Sequence, residues 1–287
     1  MAYMALVLLL IFIAIMLLGI PVGFGMGALT VIAFELLGGD LSMIPQKMFA
    51  GIDTYTYVCI LLFILSADIM SVGGITNAIV VFCEKLVGHI KGGLAHVNVL
   101  ASMLFAGLSG SAAADAAGLG PIEIKMMTDG GYDKEFSSCV TAASAIIGPI
   151  IPPSNIMIIY AGCVGTVSVG KMFLAGAIPG ILLGIAYMIF CYWISVKRKY
   201  PCRKTRATWK EIGHATWETL PALLLPIIIM GTITLGICTA TESSAIAVIY
   251  STIVAACKKN LSTCCALREW KISMFFNNKC CTKRNHK

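Results

Sequence analysis

The sequence predicts an all-α polytopic membrane protein, and composition and segment length are the observations behind the prediction. Apolar residues make up 58% of the 287 residues and charged residues only 12%, whereas soluble domains carry roughly 25% charged residues. Several apolar runs approach or exceed the roughly 20 residues with which an α-helix crosses a bilayer. They are continuous, unlike the short alternating segments of a β-barrel. We therefore expect roughly eight segments in the lipid bilayer, several of them broken.

The chain divides by composition into regions that we interpret as structural units. Basic residues cluster in one loop, glycines and prolines interrupt two apolar stretches, and cysteines crowd near the end. The predicted regions are 1–93 with N-terminal transmembrane helices, 94–165 with a re-entrant hairpin and a broken helix, 166–216 with a transmembrane helix and a basic cytoplasmic loop, 217–256 with the start of a second repeat, and 257–287 with an atypical tail.

The N-terminal region is expected to contain apolar spans separated by a loop. Residues 4–37 form one apolar stretch that the motif GIPVGFGMG interrupts, so it is either one tilted helix or a span with a kinked extension. Residues 38–53, which contain Pro45 and Lys47, are predicted to be a loop, and residues 55–82 to be one further span. The first residues lack a basic n-region, which favours a retained span over a cleaved signal peptide.

Residues 94–127 are long enough to cross a membrane once, yet their centre, GLSGSAAADAAGLG, is rich in glycine and serine. We expect two half-length helices that meet at residues 108–111 in a re-entrant hairpin. Ser111 is a suitable N-cap for the second half-helix, and a helix start attracts anions through its free N–H groups. Hydroxyl and carbonyl oxygens at the same tip can also coordinate Na⁺, which binds oxygen ligands.

One carboxylate lies inside this hairpin. Asp115 follows Ser111 by four residues and therefore lies on the same helix face. A carboxylate within a membrane segment is costly and is functional by default. Two interpretations stay open: Asp115 binds a ligand, or it hydrogen-bonds to neighbouring backbone and holds the hairpin shut. Small residues are expected to let the facing broken helix approach closely; they are Gly107, Gly110, Gly118 and Gly120.

Residues 136–165 form a second unusual unit, which the motif GPIIPPSN interrupts. Proline has no N–H to donate to the carbonyl four residues before it. The prolines at 149, 152 and 153 would therefore free the carbonyls of Ala145, Gly148 and Pro149. Unwound backbone at this depth occurs only inside protein or along a wet cavity, and free carbonyls suit hard cations such as Ca²⁺ and Na⁺. A simple kink is the alternative, but three prolines followed by a Ser-Asn pair favour an ion site.

The net charge of +7 is concentrated rather than spread. The loop after the apolar segment at 173–196 is rich in basic residues, which are Lys197, Arg198, Lys199, Arg203, Lys204, Arg206 and Lys210. Under the positive-inside bias such a loop lies in the cytoplasm, and binding of nucleic acid is a poor interpretation. The hairpin would then enter and leave the membrane from the cytoplasmic side. Further spans are expected at 220–235 and 238–256.

The twelve cysteines do not form a recognisable framework. Those upstream of the tail lie in apolar segments or in the basic loop, without zinc spacing, and a buried cysteine behaves as a small hydrophobe. The others crowd residues 257–287, which carry no apolar helical stripe. We interpret this tail as the product of a truncated or frameshifted reading frame; a genuine basic cytoplasmic tail is the alternative.

A faint internal repeat links two apolar regions. LGIPVGFGMGALTVIA from Leu18 aligns with LGICTATESSAIAVIY from Leu235. The two copies would run in opposite directions through the membrane, as in proteins built from inverted repeats. Glu242, which follows two threonines, is expected to cap a helix start.

Three motifs carry a resemblance to a known family. GHIKGGLAHVNVLASMLFAGLSGSAAADAAGLG, GYDKEFSSCVTAASAIIGPIIPPS and GKMFLAGAIPGILLG resemble the DctM-like large membrane subunit of tripartite ATP-independent periplasmic (TRAP) transporters, over residues 5–256. The resemblance implies two inverted repeats, each with a re-entrant hairpin and a broken helix, so that residues 94–165 would form a transport core. The second hairpin and the second broken helix are missing, and the chain resembles a C-terminally truncated subunit.

The resemblance also implies a function. The family's large subunit is an elevator-type, Na⁺-driven secondary transporter in the bacterial inner membrane. Its partners would be a small four-helix membrane subunit and a periplasmic substrate-binding protein. Its substrates would be organic acids such as C4-dicarboxylates, sialic acids and other sugar or keto acids. Na⁺ would be the coupling ion, and neither a cofactor nor an enzymatic activity is expected. Because half of the substrate site would be absent, we expect that this chain alone does not transport.

The candidate site follows from the residues and the resemblance together. The family's first hairpin tip corresponds to Ser109, Gly110 and Ser111, and its first broken helix to residues 148–154. The candidate substrate- or ion-binding residues are Ser109, Gly110, Ser111, Asp115, Ala145, Gly148, Pro149, Pro152, Ser154 and Asn155. The Na⁺ candidates among them are Ser109, Ser111, Ala145, Gly148 and Pro149.

Two other functions stay open. GLSG matches the G-x-S-G nucleophile motif of rhomboid intramembrane proteases, with Ser109 as nucleophile. Such a serine needs a base, and none of the four histidines lies in a later apolar span. A non-transporting assembly or scaffold fragment is the second alternative.

Overall fold

The structure is a computed structural model that describes residues 2–198, 200–201 and 208–257. Within these ranges all regular elements are helical, which confirms the predicted all-α class. The chain separates into two compact units, Met1–Thr54 and Tyr55–Lys287. Most of the predicted basic loop and the predicted tail from residue 258 onward lie outside the described residues.

The helices follow one another with short connections. The first unit contains α1 (Ala2–Leu17), α2 (Val22–Leu36) and α3 (Met43–Ile52). The second unit begins with a 3₁₀ turn at Tyr55–Tyr57 and continues with α4 (Val58–Val72), α5 (Ile75–Val87), α6 (Gly93–Ser109), α7 (Ala112–Gly118), α8 (Gly120–Asp129), α9 (Lys134–Ala145), α10 (Asn155–Val164), α11 (Val169–Arg198), α12 (Trp209–Thr234) and α13 (Ala240–Cys257).

Four of the described helical stretches are long and apolar enough to cross a membrane; they are Tyr55–Val72, Val169–Arg198, Lys210–Thr234 and Ala240–Cys257. Four shorter apolar helices accompany them, at Val7–Leu17, Val22–Leu36, Gly93–Ser109 and Asn155–Val164. Large apolar side chains are exposed along α11, where Ile178, Ile189 and Trp193 have more than half of their surface outside. Such a surface suits contact with lipid. The helices therefore agree with the predicted polytopic membrane protein.

The first unit differs from its prediction in one element. The apolar stretch 4–37 breaks at residues 18–21 into α1 and α2, which agrees with a span plus an extension rather than one helix. The predicted loop at 38–53 is wrong, because α3 occupies Met43–Ile52. Pro45 suggested a loop, but it lies in the first turn of α3, where the missing N–H has no helical partner in any case.

In the second unit, several helices begin or end at residues other than those predicted. The predicted single span at 55–82 is wrong: the Gly73-Gly74 pair ends α4, and α5 begins at Ile75. The sequence KMMTDGGYDKEF at residues 125–136 predicts a loop, but the connection is confined to residues 130–133, because α8 continues to Asp129 and α9 begins at Lys134. Both α11 and α12 extend beyond their predicted spans and continue through internal prolines.

An apolar core joins α4, α5, α6, α12 and α13. Its largest buried side chains include Phe63, Met70, Ile79, Leu225 and Ile229, each at most 2% exposed. Hydroxyl groups in these helices bind carbonyls of the neighbouring helix. The core supports α6, the first arm of the hairpin.

A second cluster fastens the turn between α8 and α9 to the end of α11. The rings of Tyr132 and Tyr200 stack with centroids 4.4 Å apart, and Phe136 packs beside them. Arg198 Nη1 donates to Asp133 Oδ2 at 2.9 Å, and the Tyr200 hydroxyl donates to the same oxygen. The Tyr200 hydrogen bond, with the nearby Arg198 guanidinium, lowers the pKa of Asp133 below its usual value.

The cysteines stay separate in the described part of the chain. Those that the structure describes are free thiols, at positions 59, 83, 139, 163, 191, 238 and 257. Among the described residues no group of three or more His, Cys, Asp or Glu side chains could hold a metal ion. The thiols of the two central helices α4 and α5 belong to the apolar core.

Candidate functional site

The hairpin breaks where the sequence predicts it. Helix α6 ends at Ser109, and Gly110 adopts a left-handed conformation with φ of +59°. Ser111 is extended and caps α7, because its Oγ accepts the Ala114 N–H at 3.5 Å. The predicted break at 108–111 and the predicted N-cap are therefore confirmed, whereas the predicted half-length arms are wrong. Helix α6 has 17 residues, and the second arm is divided at Leu119 into α7 and α8.

The proline motif separates α9 from α10. Helix α9 ends at Ala145, α10 begins at Asn155, and residues 146–154 between them are not helical. Ser154 is extended and buried, and its Oγ accepts the Met157 N–H at 3.3 Å. The predicted broken helix is confirmed, with a serine cap at the start of its second half.

The carbonyls that the prolines release are not all free. The Ala145 carbonyl accepts the Gly148 N–H at 3.0 Å, and the Pro149 carbonyl accepts the Ser154 hydroxyl. The expectation that both lack donors is therefore wrong, because a tight turn and the cap supply donors from within the motif. Of the described residues, none donates a hydrogen bond to the Gly148 carbonyl. Each carbonyl has two lone pairs, so all three retain capacity for a cation.

The hairpin tip and the broken helix are in direct contact. The Asn155 N–H donates to the Gly110 carbonyl at 3.3 Å, and Asn155 Nδ2 donates to the Ser109 carbonyl at 3.4 Å. A Cβ on Gly110 would overlap the Pro153 carbonyl. On the other side of the contact, a Cβ on Gly148 would lie 3.2 Å from the Ser111 carbonyl carbon. The two motifs that the sequence singled out are thus brought together.

The other small residues serve different contacts. A Cβ on Gly120 would lie 3.3 Å from Thr141 in α9, so this glycine does admit the broken helix. A Cβ on Gly118 would instead lie 3.6 Å from the Phe105 ring in α6. A Cβ on Gly107 would lie 2.8 Å from Pro226 in α12 and 3.7 Å from the Pro152 carbonyl oxygen of the broken helix. The expectation that all four glycines face the broken helix is therefore wrong for Gly118 and holds for Gly107, which also faces α12.

The Ser109 hydroxyl is buried at this contact without a partner. Ser109 is 3% exposed, and its Oγ has no hydrogen-bond partner among the described residues. An unpaired buried polar group costs about 1–3 kcal/mol, so such a position favours a bound ligand. It also means that no described histidine pairs with Ser109, as a serine nucleophile would require.

The Asp115 carboxyl group is also buried without a hydrogen-bond partner among the described residues. It is 1% exposed, and neither carboxyl oxygen has a hydrogen-bond partner among the described residues. The interpretation in which Asp115 holds the hairpin shut through backbone hydrogen bonds is therefore wrong for this part of the chain. The ligand-binding interpretation stays a prediction.

Sequence reasoning missed Glu123 in α8. This residue is 0% exposed, its carboxyl oxygens also lack partners among the described residues, and it interacts electrostatically with Asp115. A spacing of eight residues places two side chains near one helix face, which was the available signal.

A hydrogen-bonded network joins α6 to α9 beside these carboxyl groups. Ser102 Oγ donates to Ser144 Oγ at 3.1 Å, and Ser144 Oγ donates to Asn98 Oδ1 at 2.8 Å. Asn98 Nδ2 donates in turn to Thr141 Oγ1 at 2.7 Å. The network fixes the first arm of the hairpin to the first half of the broken helix.

The aligned repeat segments share a local feature. Gly19 between α1 and α2 has φ of +76°, and Gly236 between α12 and α13 has φ of +70°. The two glycines occupy equivalent positions in the aligned segments. Glu242 accepts the Thr239 N–H at 2.8 Å and the Thr239 hydroxyl at 2.9 Å. This is the predicted cap at the start of α13.

Comparison with known proteins confirms the family of the motif resemblance, and the match extends beyond residue 256. Residues 9–276 match the family described as the tripartite ATP-independent periplasmic transporter, DctM component. The chain is 44% identical over 235 residues to the sialic acid TRAP transporter large permease protein SiaM of Vibrio cholerae, which covers 81% of this chain and 54% of SiaM. It is 41% identical over 247 residues to the sialic acid TRAP transporter permease protein SiaT of Haemophilus influenzae, which covers 86% of this chain and 40% of SiaT.

A relative with a different named substrate is similarly close. The C4-dicarboxylate TRAP transporter large permease protein DctM of Pseudomonas aeruginosa is 39% identical over 229 residues, which covers 80% of this chain and 53% of that protein. The chain thus spans about half the length of the curated relatives it matches. The matched family consists of transporters rather than enzymes, which removes the protease alternative. On these grounds, the chain belongs to the DctM component family of tripartite ATP-independent periplasmic transporters.

Proposed function

We propose that this chain contributes one binding repeat to the large permease of a Na⁺-coupled, elevator-type secondary transporter in the bacterial inner membrane. The observation that carries the proposal is the contact between the hairpin tip and the broken helix. There, Asn155 joins the carbonyls of Ser109 and Gly110, while the Ser109 hydroxyl is buried without a partner. A mere proline kink accounts for neither the facing tip nor the unpaired hydroxyl.

The proposed role of the contact is to bind Na⁺. Its ligands would be drawn from the oxygens of Ser109, Ser111, Ala145, Gly148 and Pro149. Hydroxyl and carbonyl oxygens suit hard cations, and irregular backbone inside a membrane protein is tolerated where it lines such a cavity. The Gly148 carbonyl supports this role, since no described residue donates to it.

The proposed substrate is an organic acid. Pro152, Ser154 and Asn155 belong to the broken-helix motif at this contact, and hydroxyl and amide groups can orient a carboxylate by hydrogen bonds. Relatives named for sialic acid and for C4-dicarboxylates make these two acids the first candidates, with other sugar or keto acids beside them. A periplasmic binding protein would deliver the acid, and a small membrane subunit would complete the permease.

The repeat supports the elevator mechanism. The glycines at 19 and 236 end their helices in the same left-handed conformation at equivalent points of two similar segments. Transporters of this type place substrate and ion sites between two structural repeats, near the bilayer midplane. The tip and broken helix would then form one half of such a site.

The test is uptake into proteoliposomes. The permease that contains this sequence is reconstituted with its small subunit and binding protein, and uptake of labelled sialic acid or succinate is measured with an inward Na⁺ gradient. We expect uptake to collapse without the gradient and to fall strongly in Ser109→Ala. Equal uptake in choline would overturn the Na⁺ coupling. Uptake by Ser109→Ala equal to that of the wild type would show that Ser109 does not contribute to the site. Absence of uptake by the reconstituted wild type would favour an assembly or scaffold role.

A further inference from the structure

Two buried carboxyl groups lie in the second arm of the hairpin. Asp115 in α7 is 1% exposed and Glu123 in α8 is 0% exposed. Asp115 acts electrostatically on Glu123. All four carboxyl oxygens lack hydrogen-bond partners among the described residues. Two unpaired polar side chains, both more than nine-tenths buried, therefore point to a ligand that links them.

No described basic side chain pairs with either carboxyl group, which makes the pair unfavourable in its charged form without a bound cation. The described ion pairs are Arg198 with Asp133 and His214 with Glu218, so no described basic side chain compensates Asp115 or Glu123. A charged residue at a membrane centre costs at least about 2.5–3.5 kcal/mol. The electrostatic interaction between the two carboxyl groups adds repulsion when both are charged. A cation between the carboxyl groups removes both costs.

Neighbouring groups show which cation fits. The Ser102 hydroxyl of α6 faces both carboxyl groups, although its own hydrogen bond goes to Ser144. The donor set is therefore oxygen from three helices, which suits a hard cation. Cys83 of α5 faces Glu123, but the described residues include no cluster of three or more His, Cys, Asp or Glu that would suit a transition metal.

We propose that Asp115 and Glu123 bind one Na⁺ ion between their carboxyl groups, with the Ser102 hydroxyl as a further ligand. The site is separate from the tip, since Ser102, Asp115 and Glu123 are not among the ligands proposed there. Glu123 is its defining residue. The inference rests on the proposed Na⁺-coupled function and adds a second ion site to it.

The site also couples the ion to the shape of the hairpin. The second arm is divided at Leu119, between the two carboxyl groups. An ion held by Asp115 and Glu123 would fix α7 relative to α8. Through Ser102 and its bond to Ser144, the ion would also connect this arm to α6 and α9. Loss of the ion would loosen the arm that carries the tip.

The experiment measures thermal unfolding of the purified chain in detergent while NaCl replaces choline chloride at constant ionic strength. The variant is Glu123→Gln, and the control is Glu135→Gln, whose carboxylate is exposed at the start of α9. We expect Glu123→Gln to lose a large part of the Na⁺-dependent rise in Tm. In choline its Tm should be equal to or above that of the wild type, because the amide keeps the shape and removes a buried charge. Glu135→Gln should match the wild type in both salts.

Additivity separates this site from the tip. The Na⁺-dependent shifts lost in Glu123→Gln and in Ser109→Ala should add in the double variant, as expected of independent sites. A wild-type Na⁺ shift in Glu123→Gln would overturn the second site while leaving the tip site intact if Ser109→Ala still reduces the shift. A wild-type chain that shows no Na⁺ shift would instead count against the proposed function itself. Stabilisation by Ca²⁺ but not by Na⁺ would overturn the choice of ion.

Asp115→Asn provides a second variant should Glu123→Gln not fold. It should lose the same part of the Na⁺ shift as Glu123→Gln, and the two changes together should lose no more than either alone, because they remove one site. Full addition of the two losses would overturn the shared ion.

Discussion

Two regions of the second unit bury polar groups in opposite ways. In the supporting helices α4, α5, α12 and α13, buried hydroxyls bind carbonyls of neighbouring helices: Ser66 donates to Ala247 at 3.2 Å, and Thr219 donates to Ala78 at 3.1 Å. In the hairpin and broken helix, α6 to α10, Ser109 and the two carboxyl groups are buried with no partner among the described residues.

The difference distinguishes buried polar groups that hold helices together from buried polar groups that we expect to bind a ligand. A hydroxyl that meets a carbonyl links two helices where lipid offers no alternative partner. A buried group without a partner lowers stability, and such groups persist where a ligand completes them. One buried hydroxyl outside the hairpin, that of Ser195 in α11, also lacks a partner among the described residues. His96 Nε2 in α6, whose ring lies 6.3 Å from that of Tyr192 in α11, lacks one as well. Both are distant in sequence from the tip and from the proline motif, whereas Ser109 and the two carboxyl groups occur with broken backbone.

The largest expected effect comes from filling the tip contact. Gly110→Ala places a non-glycine residue at φ of +59°, which costs about 1–3 kcal/mol, and its Cβ would also overlap the Pro153 carbonyl. We expect a large fall in Tm together with loss of Na⁺-dependent stabilisation, both measured by thermal unfolding in NaCl and in choline chloride.

The matched control is Gly165→Ala, which has φ of +71° but open space around the added methyl group. Gly165→Ala should lower Tm through backbone strain alone, and its stabilisation by Na⁺ should equal that of the wild type. Equal losses in the two variants would show that strain, rather than the contact between tip and broken helix, explains the effect at Gly110.

A smaller effect should distinguish the two kinds of buried hydroxyl. Ser66→Ala removes the hydroxyl that donates to the Ala247 carbonyl across two helices and should destabilise the chain by about 1 kcal/mol in either salt. Ser109→Ala removes an unpaired hydroxyl and should be nearly neutral in choline, while it reduces the stabilisation by Na⁺. Denaturant or thermal unfolding of both variants in the two salts gives the comparison. The contrast fails if Ser109→Ala loses as much stability in choline as Ser66→Ala does.

The smallest effect concerns the exposed ion pair between Asp133 and Arg198. The pKa of Asp133 lies below its usual value in the folded state, because the Tyr200 hydroxyl and Arg198 stabilise the carboxylate. Its contribution is therefore present above the unfolded pKa of about 3.9 and is lost as the pH falls through the lowered folded value. Since Asp133 and Arg198 are both exposed, water and salt screen the pair.

Asp133→Asn should accordingly reduce Tm slightly near neutral pH and should match the wild type at the acidic end. Thermal unfolding across a pH series checks this, with Asp129→Asn as a control on the same turn. A loss of stability in Asp133→Asn that does not change with pH would assign the effect to packing rather than to charge.

Local chemistry made the breaks in the helices predictable. Gly110 with Ser111, and the three prolines of GPIIPPSN, act on the backbone within a few residues of themselves, so their effect needs no knowledge of the rest of the fold. The same rules failed where a local signal was ambiguous. Pro45 falls in the first turn of α3, and the Gly73-Gly74 pair separates two helices within a run that is apolar throughout.

The sequence by itself determined the membrane class, the positions of the two breaks, the cap at Ser111 and the family. These follow from composition, from proline and glycine geometry, and from ungapped motifs. Only the tertiary structure decided that the tip meets the broken helix through Asn155, that Ala145 and Pro149 regain donors, and that Glu123 is buried beside Asp115. Burial and pairing depend on helices distant in the chain, and no local pattern encodes which distant helix a side chain will face.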